Sequence, residues 1–114
     1  MNVANFRADE GFTITTGAST ATRIRNPSPD PISADPKQNI PYDVLIWNAD
    51  TTNPAYVKFG DASTTVTATG SGANKGVPIP PNALLILSAG NATHIATVAG
   101  AGTPVLHLST GHGT

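Results

Sequence analysis

Short runs in which apolar residues alternate with threonine or another polar residue recur along this chain, closed by glycine, proline or asparagine, and no helical period outlasts a turn. In "GFTITTG", Phe12 and Ile14 alternate with Thr13 and Thr15 between Gly11 and Gly17, the period of a half-buried strand. "TATRIR" follows as a second strand. "YDVLIWN", Tyr42 to Asn48, is apolar at four successive positions, which predicts a central strand needing cover on both faces. "ADTTNP" turns the chain, and "AYVKFG" returns with Tyr56 and Lys58 on one face and Val57 and Phe59 on the other. These two runs are expected to pair as a hairpin.

"STTVTAT" is β-branched at nearly every position and is expected to lie on a pleated surface, followed by the glycine-punctuated loop "GSGANKG". "VPIPPNALLILSAG" predicts a short edge element broken by Pro78, Pro80 and Pro81, a turn at Asn82, and a strand apolar on both faces from Leu84 to Leu87. "NATHIATVA" and "PVLHLST", separated by "GAGT", close the series. Eight or nine short strands at close spacing predict an all-β sandwich or small barrel.

Two segments fall outside this pattern. Residues 1–11 are polar and weakly patterned, and are expected to form a flexible N-terminal arm before a single domain at 12–114. "NPSPDPISADPKQNIP", 26–41, carries Pro27, Pro29, Pro31, Pro36 and Pro41, which remove backbone donors and fix φ, so an interior strand or helix is excluded there. A long, stiffened excursion is expected, either a partner-contacting loop or a surface crossover.

Because a small sandwich turns one face of each strand outward, "VLIW" and "LLIL" must present large apolar side chains outside the core. Val44, Leu45, Ile46 and Trp47, with Leu84, Leu85, Ile86 and Leu87, are therefore candidates for core and subunit interface; a crossing loop is the alternative cover. Trp47, inside its apolar run, is expected to be buried.

Composition changes the picture in one respect. Of 114 residues only 11% are charged and the net charge is −1, against an average near 25% charged for soluble domains. A surface so neutral is suited to being covered. The six basic residues are scattered, so no basic stripe speaks for nucleic acid. No window approaches the roughly 18 apolar residues of a membrane span and no signal-peptide block is visible, so a soluble chain made in the cytosol is expected. With no cysteine, disulfides and thiolate metal sites are excluded.

Candidate chemistry is sparse. His94 shares a strand face with Ala96 and Val98, and His107 with Val105 and Ser109; two imidazoles on different strands, or copies of one around a symmetry axis, would suit a metal, and ordinary polar positions are the simpler reading. The acidic residues lie mainly in loops, where Asp caps turns. There is no G-x-S-x-G elbow, and "GSGANKG" lacks the phosphate-loop spacing because Gly76 follows Lys75. Asn91-Ala92-Thr93 reads as a turn. Neither an enzyme nor a cofactor is expected.

From Tyr42 onward the order of landmarks resembles a group of small tailed-bacteriophage virion proteins: Asn48, "YVKFG" at Tyr56 to Gly60, "IPPN" at Ile79 to Asn82, "THIA" at Thr93 to Ala96, and "TGHG" at Thr110 to Gly113. The group's pattern often has glycine at the position of Asn82. The resemblance implies a jelly-roll-like β-sandwich of about eight short antiparallel strands, assembling as a homotrimer in the particle. It implies a capsid decoration, or cement, protein whose partner is the major capsid protein and whose place is the capsid surface of the virion, after synthesis in the host cytoplasm. On that reading Asn2, Phe6 and Arg7 of the arm and Pro27, Pro29, Pro31 and Pro36 of the loop contact the shell, with no nucleic acid, membrane or cofactor involved. A tail, fibre or spike component recognising a host-surface glycan is the alternative.

Overall fold

A computed structural model describes residues 6–16, 20–24, 41–69 and 72–112. The described residues form eight strands, most of them rich in β-branched or aromatic residues: β1 (Arg7–Thr15), β2 (Thr20–Arg23), β3 (Tyr42–Asn48), β4 (Ala55–Gly60), β5 (Val77–Ile79), β6 (Leu84–Gly90), β7 (His94–Ala99) and β8 (Val105–His112). They build two four-stranded antiparallel sheets, ordered β1-β8-β3-β6 and β2-β7-β4-β5. The pairs β1 with β8, β2 with β7, β3 with β6 and β4 with β5 are nested like the two legs of one long hairpin. Folding that double-stranded ribbon over itself is what makes a jelly roll, the sandwich expected.

The core follows the period of two. On β3, Val44 and Ile46 are fully buried, facing Val57 on β4, Ile79 on β5 and Ile95 on β7 across the sandwich; Leu106 and Leu108 of β8 and Ile14 of β1 complete the first sheet's inner side. Asn48 ends β3 inside this core with no exposure, and every polar atom of its side chain is engaged. Its Nδ2 donates to Asn53 O at 3.1 Å and Ile79 O at 3.0 Å, and its Oδ1 accepts from the Asp50 N–H at 3.0 Å. The buried amide thus ties the β3–β4 connection to β5.

Three expectations are corrected. Tyr42–Asn48 and Ala55–Gly60 are not a hairpin: β3 pairs with β6 and β8, while β4 pairs with β5 and β7. The "ADTTNP" turn passes the chain from one sheet to the other, and apolar runs alone do not say which sheet a strand joins. "STTVTAT" is not a strand. It folds back within the β4–β5 connection, with one isolated bridge between Thr67 and Lys75, and its β-branched Val66 is buried. A Cβ built on Gly76 would meet Val66 Cγ2 at 2.6 Å and Tyr56 Cβ at 2.9 Å, so this connection lies against the outer side of the second sheet.

Finally, β1 begins at Arg7 rather than Phe12. Residues 7–11, expected in a flexible arm, pair with Ser109 to His112, with a register shift between Ala8 and Glu10. A bulge of this kind breaks strict alternation and hides a strand from pattern reading.

Candidate functional site

The outward residues of the first sheet can be read from the register. Thr13 stands opposite His107, His107 opposite Trp47, and Trp47 opposite Leu84, so one row crosses all four strands. The next row is Gly11, Ser109, Leu45 and Ile86. Outward positions of "VLIW" and "LLIL" are therefore Leu45, Trp47, Leu84 and Ile86, while Val44, Ile46, Leu85 and Leu87 turn inward.

The expected burial of Trp47 is overturned: it is 41% exposed, and Leu84 beside it 45%. The reason is geometric. A strand apolar at four successive positions still sends alternate residues to opposite faces, and the outer face of the first sheet at Trp47 is open. Leu45, Leu85 and Leu87 are half-buried, and Ile86 is buried although it shares Leu45's side. Of the eight interface or core candidates, Val44 and Ile46 are thus core, Leu85 and Leu87 pack against it, and Trp47 and Leu84 are open.

Around Trp47 lies a dish of about 390 Å³ lined by Leu45, Trp47, Asn82, Leu84, His107 and Ser109. The Trp47 and His107 rings stack with centroids 5.2 Å apart and planes 24° apart. Trp47 Nε1–H donates to Asn82 Oδ1 at 3.4 Å, and His107 Nδ1 lies 3.4 Å from Thr13 Oγ1. Asn82 is held at φ 56°, with Pro81 before it and the Ala83 N–H bonded to Pro80 O at 3.2 Å. That is the signature of a type II turn, whose third residue must be Gly or Asn.

Among the described residues no aspartate, glutamate, lysine or arginine lines the dish. Acidic groups elsewhere serve turns: Asp50 accepts from the N–H groups of Thr52 at 2.7 Å and Asn53 at 2.9 Å, and Asp61 from the Ser63 hydroxyl at 2.8 Å and Ser63 N–H at 2.9 Å. These bonds, from Asn53 and Thr52 for Asp50 and from Ser63 for Asp61, hold both carboxyls below the ordinary aspartate value. His94 is buried on the second sheet with its Nδ1 2.8 Å from Thr93 Oγ1, while His107 is exposed on the first, so the two imidazoles are not brought together. Among the described residues no three metal-ligating side chains gather.

Of the shell-contact candidates, Phe6 is half-buried and Arg7 opens β1. Asn2, Pro27, Pro29, Pro31 and Pro36 lie outside the described residues. Their points of attachment are defined. Arg7 pairs with His112, Asp43 with Gly111, Tyr42 with Gly90, and Arg23 with His94. The Ile24 N–H bonds to Thr93 O at 2.9 Å and Tyr42 Oη–H to Ala92 O at 2.6 Å. The segment before Arg7 and the one between Ile24 and Tyr42 therefore both join the sandwich at the same end.

Sequence reasoning did not bring Asn82, His107 and Ser109 to Trp47. They come from a turn and from β8, and only the strand order makes β8 the neighbour of β3. Comparison with protein-family models, curated proteins and solved structures finds no match for the chain.

Proposed function

We propose that the chain is a structural protein of a bacteriophage virion, a capsid decoration protein that binds the assembled shell as a homotrimer and stabilises it. The observation that supports this most is the common end of the sandwich from which the N-terminal segment and the proline-rich segment 25–40 both depart. Two segments rooted together can grip one partner surface while the jelly roll stands clear of it. The low charge of the chain suits contact with protein rather than nucleic acid. The mechanism is linkage: a protein that binds only the assembled shell stabilises it at each site by RT ln(1 + L/Kd), where L is its free concentration.

The test is cosedimentation of the purified chain with assembled shells. Saturation at a fixed ratio to the major capsid protein, with a rise in the shell's melting temperature, is the result expected. No association, or only a few copies per purified virion, would reject decoration.

A second reading is favoured by one observation, the exposed Trp47: a tail, fibre or spike component that recognises a host-surface glycan. It predicts binding of the chain to intact host cells, competed by free sugar.

A further inference from the structure

From the geometry of the Trp47 dish we infer that it is a binding site for a neutral hexopyranose, one or two sugar rings in extent, laid against the indole. The inference rests on the glycan-recognition reading, and it is also compatible with a decoration protein. Trp47 lies five residues along β3 from Tyr42, roughly 16 Å from the end where the shell-gripping segments attach.

Four features of the dish specify the ligand. The first is the aromatic surface: the polarised C–H bonds on the less polar side of a pyranose meet the negative face of an indole. Trp47 is held for this by its stack on His107 and its bond to Asn82. Second, the rim carries hydrogen-bonding capacity that the protein itself leaves unused. Among the described residues no protein hydrogen bond occupies Asn82 Nδ2, Ser109 Oγ or His107 Nε2, while Asn82 Oδ1 and His107 Nδ1 are engaged with Trp47 and Thr13. Those three atoms comprise an amide donor, a hydroxyl that gives and accepts, and a ring nitrogen, a set suited to vicinal hydroxyls.

Third, among the described residues no lysine or arginine lines the dish, so the carboxylate of an acidic sugar would find no permanent counter-charge. Complementarity selects a neutral ligand. Fourth, about 390 Å³ lies near the lower end of the roughly 300–1,000 Å³ of small-molecule sites, which limits the ligand to a ring or two. Leu45 and Leu84 line the remainder, where a C–H edge or an N-acetyl methyl can rest.

The experiment is NMR titration of the isotopically labelled full chain with the methyl glycosides of β-glucose, β-galactose, α-mannose and N-acetyl-β-glucosamine, with sialic acid as the charged control. The expected result is saturable binding of at least one neutral glycoside in the millimolar range. It should move the Nε1–H resonance of Trp47, the only tryptophan, together with Leu84 methyl and Asn82 amide resonances. Trp47→Ala and Asn82→Gly should each weaken binding at least tenfold while keeping native spectral dispersion, and Ser109→Ala severalfold. Glycine is chosen at 82 because it preserves the left-handed turn.

Absence of saturable shifts with every neutral glycoside would overturn the site, as would binding that survives Trp47→Ala or preference for sialic acid. A sedimentation result in which Trp47→Ala turns an oligomer into a monomer would also overturn it, assigning the face to a second copy of the chain. Host-cell binding unaffected by Trp47→Ala would reject this site and leave glycan recognition standing, so the two failures are distinguishable.

Discussion

Asn48 does most of its work at the scale of a single residue. One fully buried amide satisfies two carbonyls and one N–H at the point where the chain changes sheets. Asn48→Ala removes those partners inside the core, and a loss of about 2–4 kcal/mol in urea unfolding is expected. At the surface, Asp50 and Asp61 titrate below the ordinary aspartate value because N–H and hydroxyl groups of their turns favour the charged form. The sign follows from linkage: a folded value below the unfolded one contributes stability that is complete above about pH 4 and is lost as pH falls through the lower folded value. The urea midpoint of Asp50→Asn, Asp61→Asn should accordingly fall less between pH 5 and pH 2.5 than that of the parent. Asn82 was legible as a turn residue from its neighbours Pro80 and Pro81; its place beside Trp47 was not, because a side chain's neighbours across a sheet are set by topology.

Among the elements, the β4–β5 connection shows how far composition can mislead. "STTVTAT" has strand propensity at nearly every position, yet it adds no strand to the β5 edge beside it and serves as cover for the outer side of the second sheet. Gly76→Ala would drive a methyl into Val66 and Tyr56, with Val57 N at 3.3 Å behind them. A destabilisation of about 1–3 kcal/mol is expected, and Val66→Ala in the same chain should recover part of it, read as the shift in thermal midpoint. The edge character of β5, three residues with Pro78 inside and Pro80 following, was legible because proline cannot donate to a central ladder. The pairing of β3 was not, since two adjacent apolar strands satisfy the hairpin pattern and the sheet-crossing one equally well.

For the whole molecule, the all-β sandwich was legible from strand count and spacing; the strand order was not, because alternation along a strand does not say which strands lie beside it. Because β1 starts at Arg7, a truncation that tests the N-terminal segment in shell binding has to stop short of that strand. Removing residues 1–11 deletes the part of β1 that pairs with Ser109 to His112, and should lower the thermal midpoint as well as abolish association. Removing residues 1–5 spares every described strand: it should leave the melt within a degree or two of the parent, while cosedimentation with shells is lost. Undiminished cosedimentation would dismiss the N-terminal segment as a shell contact.

The place of β8 has a consequence for how the protein comes into being. It is the last of the described strands in chain order, yet it sits inside the first sheet with β1 on one side and β3 on the other. Until β8 has left the ribosome, β1 waits without the strand it pairs with, and in the first sheet β3 can pair with β6 alone. The sandwich therefore closes only after the ribosome has released β8, and until then the unpaired edges of β1 and β3 are exposed to the edges of other nascent chains.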